Sequence, residues 1–103
     1  MNLLTEFDSE YCDDGVVIEE LKLLNLNAPF KMAKFKVSPF GKSSIDQHSV
    51  QEIWIVTNGR GLLYSDDKIV ELKKGNSVHF PSHVNHWIEN TSDMNLEMIT
   101  VWW

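Results

Sequence analysis

Residues 46–59 read D-Q-H-S-V-Q-E-I-W-I-V-T-N-G and decide the fold. Branched and aromatic residues fill the middle of this stretch, which favours a β-strand buried on both faces. The closing Asn-Gly pair tolerates the positive φ of a tight turn. Because side chains alternate along a strand, a continuous strand would place Asp46, His48 and Glu52 on one face. The stretch therefore predicts a strand that presents three polar side chains together.

The rest of the chain continues in short segments of alternating polarity. Residues 31–37 read K-M-A-K-F-K-V and place Ala33, Phe35 and Val37 on one face. Residues 62–64 and 69–72 flank S-D-D-K, which indicates a hairpin. Many short strands with closely spaced turns predict an all-β sandwich or small barrel.

Composition limits the possible classes of function. The chain has 103 residues and a mass of 11.9 kDa, so it is long enough for one domain, and its 43% apolar content supports a packed core. Nine basic and fifteen acidic residues give a net charge of −6, which argues against a nucleic-acid partner and against docking on anionic membranes. No apolar run is long enough to span a bilayer.

The cysteine count and the N-terminus bear on the compartment. The single cysteine, Cys12, excludes an internal disulfide framework and a cysteine-based zinc site. The first residues lack the charged and apolar regions of a secretory signal peptide. We therefore expect a cytoplasmic protein whose metal ligands, if it has any, are histidines and carboxylates.

We expect a single domain over residues 1–103. Residues 1–30 would form an N-terminal strand or arm, and residues 31–103 would form the barrel. Within the arm, residues 16–24 fit either an early strand or a helical turn.

The histidines and carboxylates near the central strand form a candidate metal site. His86 follows Glu52 after two predicted turns, and an antiparallel barrel can return it to the side of Asp46, His48 and Glu52. Two imidazoles with one or two carboxylates suit a divalent ion. With Asp46 and Glu52 ionised and both imidazoles neutral, the ligand charge of about −2 balances a dication.

Two spaced motifs resemble the cupin superfamily. Gly41-x4-Asp46-x-His48-x3-Glu52-x6-Gly59 is similar to the first cupin motif, G-x5-H-x-H-x3/4-E-x6-G. Gly75-x5-Pro81-x-His83-x2-His86-x3-Asn90 is similar to the second, G-x5-P-x-G-x2-H-x3-N. The resemblance implies a jelly-roll β-barrel with one metal near its centre, and it nominates His48, Glu52 and His86 as ligands.

Two positions depart from the family pattern. Asp46 stands where the first motif has its first histidine, and the leading glycine is one residue closer. Asp46 is therefore either a fourth ligand, an outer hydrogen-bond acceptor or a catalytic base. His83 replaces the glycine of the second motif, and we expect it to adopt a turn conformation.

Several aromatic and histidine side chains are assigned from strand alternation. Trp54 shares the parity of Glu52 and should form a wall of the substrate pocket. Phe35 and Phe80 are further candidate pocket residues. Tyr64 is a candidate only by its proximity to the motif hairpin, where it is otherwise a solvated hairpin residue. His79 has the parity opposite to Phe80, so we expect it on the outer surface.

The resemblance implies a small-molecule enzyme that uses one divalent transition metal. Asp46 and Glu52 are the candidate catalytic carboxylates, and iron would suit a dioxygenase. Zinc, manganese or nickel would suit an isomerase or epimerase. The pattern of Glu52, Trp54, Val56 and Gly59 resembles mannose-6-phosphate isomerase-like cupins.

Other interpretations belong to different classes. One alternative is a non-catalytic module that binds a metal or metabolite, or an accessory protein of a biosynthetic pathway. Another is a barrel that serves only as a scaffold. In each case the apolar outer side chains Ile53 and Ile55, together with the terminal tryptophans, suggest a homodimer.

Overall fold

The fold consists entirely of β-strands in the part of the chain that the structure describes. A computed structural model describes residues 1–13 and 15–103. The strands are β1 Thr5–Asp13, β2 Val16–Leu23, β3 Lys31–Val37, β4 Glu52–Asn58, β5 Arg60–Ser65, β6 Lys68–Lys73, β7 Ser77–Phe80, β8 His86–Glu89 and β9 Leu96–Trp102. The all-β prediction is confirmed. None of the described segments is a helix with the length and apolar character needed to cross a membrane.

The strands form two antiparallel sheets that enclose the core. The large sheet has the order β1-β2-β3-β9-β4-β7, and the small sheet has the order β6-β5-β8. Alternate residues of β4 are buried, so Trp54 and Val56 face inward while Ile55 faces out. The inward residues of both sheets meet in one apolar cluster, which includes Val37, Leu63, Leu72, Ile88, Leu96 and Met98.

The N-terminal arm contributes two strands to the large sheet. Residues 16–23 form a strand, β2, rather than a helical turn. β2 pairs with β1 on one side and with β3 on the other. β1 lies at the edge of the sheet and is almost wholly exposed. The arm therefore extends the sheet beyond the barrel strands and leaves an unpaired edge.

The predicted continuous strand through Asp46 and His48 is wrong. β4 begins only at Glu52. Asp46 instead pairs with His86 through two backbone hydrogen bonds of 2.9 Å, whereas Gln51 pairs with Trp103 at 3.0 and 3.1 Å. The chain thus passes from the small sheet to the large sheet between residues 46 and 52. The strand is interrupted at this change of partner, and residues 47–51 belong to no strand.

Two tight turns have the backbone conformations that the sequence predicts. Gly59 has φ of 83°, and a Cβ there would lie 2.6 Å from the carbonyl oxygen of Asn95. Gly59 redirects the chain from β4 in one sheet to β5 in the other, because these two strands do not pair. The turn conformation expected for His83 is confirmed by its φ of 68°.

Asn90 connects three parts of the backbone from a fully buried position. Its amide Nδ2 donates to the carbonyl oxygens of Val37, Ser38 and Met94 at 3.0, 3.2 and 2.7 Å. Its Oδ1 accepts a hydrogen bond from the backbone N–H of Ser92 at 3.0 Å. One side chain therefore provides hydrogen bonds to backbone groups at the C-terminal end of β3 and in the loop that leads into β9.

We expect Asn90→Ala to lower the free energy of unfolding by about 3 kcal/mol, because it leaves buried carbonyl groups without a donor. Chemical denaturation of the full chain measures this loss. Asn27, which is exposed, provides the matched control, and Asn27→Ala should change stability by less than about 0.5 kcal/mol. Equal effects of the two substitutions would contradict the structural role of Asn90.

Candidate functional site

His86 occupies the centre of the site with both ring nitrogens engaged. It is the first residue of β8 and is 2% exposed. Its Nδ1 lies 2.9 Å from the carbonyl oxygen of Val84, and its Nε2 lies 3.0 Å from Oε1 of Glu52. A backbone carbonyl only accepts, so Nδ1 carries a proton. Nε2 is therefore the nitrogen that is left for a metal ion.

Glu52 is held from two sides at the start of β4. His86 approaches its Oε1, and the hydroxyl of Thr100 donates to its Oε2 at 2.6 Å. Burial alone would raise the pKa of Glu52, but the hydrogen bonds with His86 and Thr100 outweigh burial and lower the pKa below its usual value. Burial would likewise lower the pKa of His86, but its bonds to Glu52 and Val84 raise the pKa instead. Without a metal, His86 Nε2 and Glu52 Oε1 therefore share a proton in a buried hydrogen bond.

Three of the four predicted ligands come together. Ligand atoms of Asp46, His48 and His86 all lie within 4.8 Å of one another. His86 is buried, Asp46 is half-buried and His48 is exposed, so the cluster runs from the interior to the mouth of the barrel. Burial raises the pKa of Asp46, and the nearby charges of His48 and His86 oppose that rise. Glu52, the fourth predicted ligand, lies outside this group and contacts it through His86.

The cluster has suitable donors for a divalent metal. Two ligand atoms bound to one ion at about 2.1 Å lie no more than about 4.2 Å apart. Small side-chain rotations would bring Asp46, His48 and His86 within that separation. The bond from His86 Nδ1 to a backbone carbonyl is also the outer-shell contact that usually orients a metal-binding histidine. The residues present therefore fit the ion that the sequence implied.

Aromatic rings pack around His86 and restrict its motion. Phe80 stacks on the His86 ring with centroids 3.9 Å apart, and Trp54 meets it edge-on at 5.0 Å. Trp54 also contacts Phe35 at 5.1 Å. The indole Nε1 of Trp54 lies near the carboxylate of Glu52 and helps to lower its pKa. This buried N–H has no hydrogen-bond partner among the described atoms.

The cluster opens into a cavity of about 380 Å³. Phe35 and Trp54, two of the side chains assigned to the substrate pocket, line this cavity. Phe80 lies behind His86, and Tyr64 stacks on Trp87 with centroids 3.9 Å apart. Neither belongs to the described lining, which is Tyr11, Asp13, Val16, Ile18, Glu20, Ala33, Phe35, Ser43, Ser44, Asp46, His48, Val50, Glu52, Trp54, Thr100 and Trp102.

The N-terminal hairpin of β1 and β2 forms a wall of the cavity that the sequence did not predict. Tyr11 and Asp13 of β1 and Glu20 of β2 all line the cavity. A signal was present for Glu20, because it has the same strand parity as Val16 and Ile18 and so belongs to the inward face.

His79 lies outside the barrel, as its strand parity predicts. It is exposed, and its Nε2 lies 2.9 Å from Oε1 of Gln51. His79 is therefore a histidine of this chain that lies apart from Asp46, His48 and His86 and can serve as a control.

The chain is similar to known proteins over most of its length. The family described as "Cupin domain" matches residues 33–102. An uncharacterized protein of Methanocaldococcus jannaschii is 29% identical over 89 residues, which cover 84% of this chain and 71% of that protein.

Solved structures give the same result. A cupin 2 conserved barrel domain protein from Salinispora arenicola is 30% identical, with a TM-score of 0.83 and coverage of 92% of this chain and 81% of that one. A predicted oxalate decarboxylase from Thermotoga maritima is 25% identical, with a TM-score of 0.71 and coverage of 96% and 90%. The matched family segment and the cupin barrel together show that this chain belongs to the cupin family.

Proposed function

We propose that the chain binds one divalent transition metal through Asp46, His48 and His86 and acts as an enzyme on a small molecule held in the cavity. The observation that carries the proposal is the convergence of these three side chains, two of which, Asp46 and His48, line the cavity. The hydrogen bond of His86 Nδ1 to Val84 supports it, because that bond leaves Nε2 as the nitrogen that could bind an ion.

The donor set favours an oxygenase. Two histidines and one carboxylate are typical of sites that hold Fe(II) in non-haem oxygenases, and zinc, manganese and nickel also accept these donors. A bound ion would supply Lewis acidity and, as iron, electrons for chemistry with O2. We therefore propose a dioxygenase as the function that the site supports best.

An isomerase or epimerase is the second candidate, and the environment of Asp46 favours it. Asp46 is half-buried on the cavity wall, and its pKa is raised chiefly by burial. A carboxylate with a raised pKa is better matched to proton transfer near neutral pH. In this case Asp46 would move a proton of the substrate instead of binding the ion. The resemblance of the Glu52, Trp54, Val56 and Gly59 pattern to mannose-6-phosphate isomerase-like cupins also favours an isomerase.

Glu52 would serve as the proton acceptor of the site. If an ion were held at Nε2 of His86, the proton that this nitrogen shares with Oε1 of Glu52, 3.0 Å away, would leave for solvent, and the carboxylate of Glu52 would be free to accept a proton. Thr100 holds the second oxygen of the same carboxylate, so Glu52 keeps its orientation while its charge changes. Phe35 and Trp54 cover the inner end of the cavity and limit the access of water to these groups.

We expect about one divalent ion per chain in protein purified anaerobically. His48→Ala and His86→Ala should lose most of it, because each removes a ligand nitrogen. Elemental mass spectrometry measures the content. His79→Ala provides the control, since His79 lies outside the barrel, and it should retain the metal of the wild type. Full occupancy in His86→Ala, or none in the wild type after reconstitution, would contradict the proposal and leave a metal-free binding module or scaffold.

Substitution of Glu52 tests its assigned role. We expect Glu52→Gln to weaken metal binding by roughly 10–100-fold while saturating metal still fills the site, because outer partners tune affinity without holding the ion. Turnover should fall further, since the proton acceptor is lost. Glu71→Gln, on the exposed face of β6, is the control. Loss of metal even at saturation would instead make Glu52 an essential ligand.

We propose a homodimer that forms through the outer face of the large sheet. Ile55 and the terminal Trp103 are exposed there, at 36% and 44%. Ile55→Lys should therefore yield a monomer in analytical ultracentrifugation. Ile69→Lys should leave the dimer intact, because Ile69 is exposed on the small sheet. A monomeric wild type would contradict this proposal.

The free, exposed Cys12 is consistent with our proposal of a cytoplasmic location.

A further inference from the structure

The walls of the cavity carry an unbalanced negative charge. Four carboxylates line it, from Asp13, Glu20, Asp46 and Glu52, and the described lining contains no lysine or arginine. A divalent ion at the cluster would balance Asp46 and Glu52. The charges of Asp13 and Glu20 would remain without a counter-charge from the lining.

These two outer carboxylates occupy one side of the cavity. Tyr11 donates its hydroxyl to Oε1 of Glu20 at 3.3 Å, and Ser44 donates to Oδ2 of Asp13 at 3.5 Å. The one ion pair among the described residues joins His86 and Glu52, so neither outer carboxylate is paired with a cation. Burial raises the pKa of Tyr11, and the charges of Glu20, Asp13 and Asp46 raise it further, as expected in a negative field.

The neighbouring part of the cavity is apolar and aromatic. Phe35, Trp54 and Trp102 line it from β3, β4 and β9 of the same sheet, and Ile18 lies two residues before Glu20 on β2. Such rings bind flat apolar groups, and their faces attract cations. The cavity therefore combines a ring-binding wall with a pair of unneutralised carboxylates.

We propose that the ligand is a small organic cation, a protonated amine whose ammonium group lies against the hairpin wall that carries Asp13 and Glu20 while its apolar body packs against Phe35 and Trp54. An ammonium donates three hydrogen bonds and matches carboxylate acceptors. A phosphorylated sugar would be repelled by the same two carboxylates. This inference rests on the proposed function only in assuming a metal at Asp46, His48 and His86. It excludes sugar phosphates from the expected class of substrate.

Three matched probes test this ligand class on the zinc-loaded full chain. Tyramine, tyrosol and para-hydroxyphenylacetate share a phenol ring and end in a cationic, neutral or anionic group. We expect tyramine to bind at least about tenfold more tightly than para-hydroxyphenylacetate, with tyrosol between them. Titration followed by the indole N–H resonance of Trp54 reports binding within the cavity.

Variants of β1 and β2 assign the preference to the outer carboxylates. The double variant Asp13→Asn/Glu20→Gln should bind tyramine about tenfold more weakly and tyrosol unchanged. Glu19→Gln is the matched control, because Glu19 is the neighbour of Glu20 and faces the other side of the sheet. It should keep the affinity of the wild type for tyramine. Unchanged tyrosol binding shows that each variant is folded.

The outcomes separate this inference from the proposed function. Equal or tighter binding of para-hydroxyphenylacetate overturns the inference, and so does the absence of a Trp54 shift with all three probes, while metal retention would leave the proposed function standing. A tyramine preference in protein that holds no metal would support the inference and overturn the proposed function.

Discussion

The buried contact between Nε2 of His86 and Oε1 of Glu52 is the interaction on which the rest of the site depends. It joins β8 of the small sheet to β4 of the large sheet across the interior. The backbone of Val84 fixes one end, and the hydroxyl of Thr100 fixes the other. Removal of one partner from such a buried pair typically costs about 3–5 kcal/mol, because the remaining charge is uncompensated. The same contact thus helps to close the barrel and to orient the histidine for a metal.

Aromatic rings that pack against His86 fix the geometry of its contact with Glu52. Phe80 stacks on one face of His86, and Trp54 meets the ring edge-on. Because both rings belong to the buried core, His86 has little freedom to change its rotamer. The backbone of Asp46 is also held in place, since it pairs with the backbone of His86. Only His48 is exposed, so the site has a rigid inner half and an accessible outer half.

Local alternation explains what the sequence predicted well. The parity of Trp54 and His79 depends on neighbours along one strand, and both lie on the predicted faces. The continuous strand from Asp46 failed because a change of sheet depends on pairing with distant residues, here His86 and Trp103. Tyr64 was assigned by its proximity in sequence, although its parity is opposite to that of buried Leu63.

The wall contributed by the arm had the weakest signal in the sequence. Asp13 and Glu20 reach the cavity only because β2 pairs with β3, and that pairing is set by tertiary packing rather than by a local motif. The family motifs cover the cluster of Asp46, His48 and His86 but not these residues. The side chains that we propose to select the ligand therefore lie outside the segments that reveal the fold.

Anomalous diffraction from crystals of the metal-loaded protein tests the central claim most directly. The account predicts one peak per chain, within bonding distance of Nε2 of His86 and of side-chain atoms of His48 and Asp46, with Nδ1 of His86 still bonded to Val84. A peak bound through other residues, or a His86 ring that remains bonded to Glu52 in the metal-loaded crystal, would contradict it.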